Sequence, residues 1–202
     1  MNMNRRRFVA GAGLLGLAAA AAPALAYEDK WPKKPAVPTD FNAEEFFVEY
    51  DKKGVGVTFG KADADRVAYI AFDTQCPWCR VLYEELKPLF GEMKFVFFPC
   101  AELSPWSEPQ GAYILAAKDR AARFEEHEQH FKDEGFRGLD VRSPEAQKEI
   151  TFELRSDVWT NSKIFRRAGA RVIPFGVLRM PDGTYKAFGN KKTDEFRKFA
   201  GL

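Results

Sequence analysis

Val67-Ala68-Tyr69-Ile70-Ala71-Phe72-Asp73-Thr74-Gln75-Cys76-Pro77-Trp78-Cys79 joins an unbroken apolar run to two cysteines three positions apart. The run over 67–72 predicts a strand. Beyond it Val81, Leu82, Leu86, Leu89 and Phe90 recur at helical spacing, which predicts a helix over 77–90. Pro77 then occupies the first turn, where its missing N–H costs nothing. Cys76 therefore falls between a strand end and a helix start, where unpaired backbone N–H groups and the helix dipole favour negative charge. That environment lowers a cysteine pKa and makes a thiolate available near neutral pH. Cys79 lies one turn further in, close enough to close a disulfide with Cys76.

A C-x-x-C pair serves as a redox dithiol or as half of a zinc site, or it is coincidence. Its position after a strand favours the dithiol: Cys76 forms a mixed disulfide with a substrate and Cys79 resolves it. Zinc needs about four ligands. The other candidates are Cys100, His127 and His130, and the gap from Cys79 to His127 is far wider than a zinc-finger spacing. His127 and His130 stand among Glu125, Glu126 and Glu128 and read as a solvated helix face. Cys100 follows the apolar run 95–98 and reads as a small buried hydrophobe, with a third redox thiol as the alternative. Asp73 reads as a group near the surface turn with a local structural part, such as a cap.

Outward from this centre, 55–59 and 94–98 predict strands, the latter buried on both faces. Residues 107–131 are a long helical stretch broken near Asp119, and Ser143-Pro144-Glu145 opens another helix to about residue 168. Strands over 172–179 and 184–188 flank the turn Pro181-Asp182-Gly183, and 193–199 closes the chain as a helix. Asn42 is placed to cap a short helix through Tyr50. Trp31, Trp106 and Trp159 read as packing residues. The element order is that of an α/β thioredoxin fold with a helical insertion between the first βαβ unit and the final hairpin and helix. Pro174, in Val172-Ile173-Pro174-Phe175, removes a ladder donor at a strand start; the resemblance to thioredoxin folds implies that it is cis and sits against the C-x-x-C pair.

Residues 1–26 read as a cleavable export signal: Arg5, Arg6 and Arg7, then an Ala/Gly/Leu-rich stretch, then Ala24-Leu25-Ala26 as the cleavage site. The apolar stretch 8–22 is short for a membrane span, although a membrane-anchoring helix is the alternative. Arg5-Arg6-Arg7-Phe8 is similar to a twin-arginine signal. Residues 27–54 form an extended lead-in with Pro32, Pro35 and Pro38 and a short helix, and 55–202 the catalytic domain. The signal holds three of the 31 Lys and Arg and no acid, leaving 28 against 29 Asp and Glu in the remainder. That balance argues against nucleic acid or an anionic membrane as partner. Three cysteines exclude a disulfide-rich scaffold.

Phe72-Asp73-Thr74-Gln75-Cys76-Pro77-Trp78-Cys79, then Ser107-Glu108-Pro109-Gln110 leading into Ala112-Tyr113-Ile114-Leu115-Ala116-Ala117-Lys118-Asp119, and then Ile173-Pro174, together resemble the DsbG/DsbC branch of periplasmic thiol:disulfide interchange proteins, the DsbG type most closely. The resemblance runs from about residue 55 to 189. It implies a periplasmic oxidoreductase that reduces or isomerises disulfides, or acts on oxidised cysteines, in exported proteins. Cys76 and Cys79 would be catalytic, and Pro77, Trp78, Ile173 and Pro174 would face the substrate. No cofactor is implied, since the dithiol carries the two electrons. A DsbD-like membrane reductase would supply electrons, or a DsbB-like oxidase would remove them if the chain is a DsbA-like oxidant. A non-catalytic client- or metal-binding module is the reading from another class. Three departures accompany the resemblance. Only 27–54 precede the domain where the branch carries a dimerisation domain, so a monomer is expected. Ile173 stands where the branch has Thr, and Cys100 has no counterpart. The buried carboxylate of thioredoxin would fall at Ile70, and no base for Cys79 is evident.

Overall fold

The computed structural model describes residues 37–202; the stretch read as an export signal with its cleavage site, Trp31 and the lead-in through residue 36 lie outside the described residues. The apolar run at 67–72 becomes β2 (Val67–Phe72), the middle of five strands. The others are β1 (Val57–Gly60), β3 (Lys94–Pro99), β4 (Phe175–Arg179) and β5 (Tyr185–Phe188), and the order is β1-β3-β2-β4-β5. β2 and β3 are parallel, paired from Val67↔Lys94 to Phe72↔Pro99. Parallel neighbours require a crossover, which is α2 (Pro77–Leu86) and the 3-10 turn after it. The β1–β3, β2–β4 and β4–β5 pairings are antiparallel.

Strand periodicity divides the core in two. Ala68, Ile70 and Phe72 point with Phe95 and Phe97 to one face, under Leu82, Tyr83 and Leu86 of α2 and Phe196 of α7 (Thr193–Ala200). Tyr69, Ala71, Val96, Phe98 and Val177 point to the other face. There α1 (Ala43–Lys53) contributes Phe46, Phe47 and Tyr50, and α6 (Phe152–Arg167) contributes Ile164 and Phe165. Burial on both faces is why these strands are continuously apolar. Asn42 caps α1, its Oδ1 accepting from Glu45 N at 3.0 Å. Phe47 of α1 stacks on Tyr69, ring centroids 3.9 Å apart.

The helical insertion consists of α3 (Ser107–Ala116), α4 (Arg120–Gln129), α5 (Pro144–Glu149) and α6. The break expected near Asp119 is an N-cap: Asp119 Oδ1 accepts from Ala122 N at 3.0 Å. The single helix expected from 143 to about 168 is instead two, because Ile150 leaves helical geometry and Thr151 caps α6 afresh. Two tryptophans also depart from expectation. Trp106 and Trp159 are 42% and 40% exposed, Trp106 edge-on to Phe136 and Trp159 beneath the Arg166 guanidinium. Each lies at the surface and is held by a neighbour on one side.

Gly176 of β4 is glycine because Phe188 of β5 lies across it: a Cβ there would be 2.4 Å from the Phe188 ring. Gly176→Ala is therefore expected to destabilise the fold by about 1–3 kcal/mol, as overpacking does. Adding Phe188→Leu should recover part of the loss in urea melts, whereas no recovery would place the cost elsewhere.

Candidate active site

Cys76 is the N-cap residue of α2, with extended backbone (φ −91°, ψ 112°), and Pro77 opens the helix. The arrangement follows from the local sequence: Pro77 lacks an N–H, and the next free N–H groups of the first turn point back toward Cys76. The three cysteines are free thiols. The Cys79 thiol, by hydrogen bonding, lowers the Cys76 pKa below the ordinary thiol value. Burial opposes this, and the backbone N–H groups of Cys79 and Trp78 add to the lowering. Cys79 moves the opposite way, raised by burial first and then by the Cys76 thiol. One sulfur is thus set to be the thiolate and the other its proton-bearing partner.

The second signature meets the first in space. The Ile173–Pro174 peptide is cis, and the Ile173 carbonyl accepts from Cys76 Sγ at 3.6 Å. Pro174 is buried, while Pro77, Trp78 and Ile173 are partly exposed, and Trp78 and Ile173 pack on the first core cluster. The two motifs therefore meet at Cys76, through the Ile173 carbonyl.

Asp73 corrects the expectation of a group near the surface. It is buried, and its carboxylate accepts four hydrogen bonds. Oδ1 takes Gln75 N (2.8 Å) and Ser107 Oγ (2.7 Å), and Oδ2 takes Glu102 N (2.8 Å) and Leu103 N (2.9 Å). Its own N–H donates to Cys79 Sγ at 3.4 Å. One buried side chain thus ties the turn before Cys76 to the loop after β3 and to the start of α3.

His127 is a second correction. It is fully buried, not part of a solvated face, whereas His130 is exposed. Its Nε2 donates to Thr74 O (2.9 Å), and its Nδ1 accepts from Leu139 N (3.3 Å). Gly138 lies against the imidazole with φ +74°, and a Cβ there would be 2.1 Å from the ring. Gln110 and Arg137 complete the brace. Gln75 Nε2 donates to Gln110 Oε1 (2.7 Å), Gln110 Nε2 to Arg137 O (2.7 Å), and Arg137 Nη1 to Gln75 O (2.8 Å). The insertion therefore holds the carbonyls of both residues that precede Cys76.

Burial lowers the His127 pKa to about 4. A base held neutral in the folded state contributes stability that is complete above its unfolded pKa of about 6.5 and is lost as pH falls through about 4. The expected loss attributable to His127 is about 3 kcal/mol. It is read as the difference in urea stability between wild type and His127→Gln, a variant that can still donate and accept. A difference that does not change between pH 7 and pH 4 would contradict this assignment.

Cys100 lies in the opposite core cluster from Cys76 and Cys79, fully buried beside the Tyr50 hydroxyl at 3.6 Å. Burial drives its pKa far upward, which makes it a packing residue rather than an available nucleophile. Among the described residues no group of three or more His, Cys, Asp or Glu side chains could hold a metal ion, and no helix is long and apolar enough to cross a membrane.

No family model matches the chain. It is 27% identical over 117 residues to the thiol:disulfide interchange protein DsbG of Pseudomonas aeruginosa, so the resemblance to DsbG holds over 57% of this chain. The chain spans 43% of that relative's length. Its fold is similar to the catalytic domain of Proteus mirabilis ScsC (TM-score 0.61, 16% identity, 79% of this chain and 96% of that one). It is also similar to a periplasmic thioredoxin-like protein from Salmonella enterica serovar Typhimurium (0.61, 12%, 77% and 94%). Pseudomonas aeruginosa DsbA2 is a further fold match (0.57, 19%, 73% and 96%). The fold is the thioredoxin type with a helical insertion.

The sequence reading missed Asp73 as a clamp, His127 as a brace, and Glu128, which is also buried. A signal for α4 was present: Phe124, His127, Glu128 and Phe131 stand at i, i+3, i+4 and i+7, the stripe of an inward helix face.

Proposed function

We propose that this chain is an exported thiol-disulfide oxidoreductase of DsbG-like type, reducing or isomerising disulfides in other exported proteins through Cys76 and Cys79. The observation that carries the reading is the pairing of a Cys76 thiol of lowered pKa at a helix N-terminus with a Cys79 thiol of raised pKa, with Cys76 against the carbonyl of Ile173. In the reductive direction the Cys76 thiolate attacks one sulfur of a client disulfide, forms a mixed disulfide and expels the other client sulfur as a thiolate. Cys79, having given up its proton, attacks Cys76 Sγ, closes the internal disulfide and frees the second client thiol. Trp78, Pro77, Ile173 and Pro174 form the client-facing rim. The dithiol carries both electrons, so the chemistry requires no bound cofactor. A DsbD-like membrane reductase returns the pair to its reduced form.

A DsbA-like oxidant served by a DsbB-like oxidase is the second reading, and one observation favours it. A lowered Cys76 pKa stabilises the reduced dithiol and so makes the disulfide a stronger oxidant. Acid-quenching cells and mass-tagging free thiols separates the two directions. A mostly reduced Cys76–Cys79 pair is the result expected for a reductase or isomerase, and a fully oxidised pair would replace that reading with the oxidant. The charge balance of the chain after residue 26 supports protein clients over nucleic acid.

A further inference from the structure

Glu128 is a buried acid on α4 for which the reaction above has no use. Its neighbour is Arg80, the residue after Cys79, whose backbone N–H donates to Cys76 O at 3.3 Å. Arg80 Nε donates to the Glu128 backbone carbonyl at 3.2 Å and lies 3.5 Å from its Oε2. That oxygen is buried without a hydrogen-bond partner. Tyr83 OH donates to Glu125 Oε1 at 3.0 Å, a second side-chain link from α2 to α4. The side chain is thus a buried acid with an unsatisfied oxygen and, 3.5 Å from that oxygen, the cation that follows Cys79 in the chain.

We propose that Glu128 is the redox-linked proton-binding residue of the Cys76–Cys79 site, taking up a proton when the disulfide is reduced and releasing it when the disulfide forms. The inference rests on the dithiol reading of Cys76 and Cys79. When a reducing dithiol, the membrane reductase's in the direction proposed above, reduces the internal disulfide, the S–S bond breaks and its two sulfurs receive two electrons. Cys76 is left as thiolate and Cys79 as thiol. The reducing dithiol closes its own disulfide and gives up two protons, one retained on Cys79 and one available to the Glu128 carboxylate. The thiolate is a new negative charge, and it favours the neutral carboxyl of Glu128. In the disulfide state that charge is gone, and Arg80 favours the carboxylate.

The groups facing Glu128 from α2 and the turn after it agree with this assignment. Burial raises its pKa to about 8 in the dithiol form; Arg80 and Lys87 oppose the rise, and Glu84 and Cys76 add to it. Glu128 is therefore mostly protonated at neutral pH when Cys76 is a thiolate, and its pKa falls on oxidation. Proton uptake on reduction exceeds that of the thiols alone in the interval between the two values, and there the midpoint potential falls more steeply with pH.

The test is the midpoint potential of wild type and Glu128→Gln against a dithiothreitol couple from about pH 6 to pH 10. The expected result is a steeper segment near pH 8 or just below it in wild type and its loss in the variant. Superimposable profiles would overturn the proposal while leaving the dithiol reading intact, whereas failure to form a Cys76–Cys79 disulfide would overturn both. Redox-difference infrared spectroscopy of the wild-type protein supplies a measurement independent of the variant's folding. Reduction should produce a protonated-carboxyl C=O band, and no such band would also overturn the proposal.

Discussion

Cys79→Ser is expected to convert the protein into a trap, accumulating mixed disulfides with clients through Cys76 and losing turnover in insulin reduction by at least about a hundredfold. The reasoning is stereochemical. Both cysteines are buried; Cys76 takes the attacking position at the helix start, and Cys79 is the partner whose sulfur accepts from Asp73 N at 3.4 Å. Serine retains an oxygen that can accept there, so the fold and the Cys76 environment should survive, but a hydroxyl cannot displace a client thiolate. Cys76→Ser should give equally low turnover without adducts, and so should the double variant. The check is a non-reducing gel of each variant from cells, with adducts released by reductant. Adducts through Cys100, or none from Cys79→Ser, would contradict the assignment of roles.

Asp73→Ala is expected to cost about 3–5 kcal/mol of folding stability, the largest effect of any polar substitution near the site. Its carboxylate takes two backbone N–H groups of the loop after β3, one N–H of the turn before Cys76 and the Ser107 hydroxyl, all within 2.7–2.9 Å. Removing it leaves the buried Ser107 hydroxyl and three part-buried N–H groups without their acceptor, at about 1–3 kcal/mol each where water cannot replace it. Asp73→Asn should recover only part of the loss, because an amide turns one acceptor into a donor facing donors. Urea unfolding at pH 7 measures it, and a loss below about 1 kcal/mol for the alanine variant would mean that solvent reaches the pocket.

Much of this architecture could be read before any coordinates because local chemistry and tertiary fold agree there. The apolar run at 67–72, Pro77 at the helix start and the periodicity through Leu86 give the same answer at each level, and Cys76 falls where all three meet. The same holds for Asn42 and Asp119, which stop or start helices through their own side chains. What escaped the reading depends on contacts between distant segments. Asp73 is buried because residues 102–107 return to it, and His127 because Thr74 and Leu139 come to both of its nitrogens. Charged neighbours on α4 suggested solvent, and only the i, i+3, i+4, i+7 stripe suggested otherwise. The Thr151 break lies between two helical patterns that run on in phase, so it took a side-chain cap to reveal it.

The central claim is that Cys76 and Cys79 alternate between a dithiol and one internal disulfide while Cys100 stays apart. Equilibrating the purified protein across dithiothreitol ratios, alkylating at each ratio and mapping the labels by mass spectrometry tests it directly. The account predicts a single two-electron transition in which Cys76 and Cys79 lose their labels together, with Cys100 alkylated only after unfolding. Independent titration of the two cysteines, or a disulfide that includes Cys100, would contradict it.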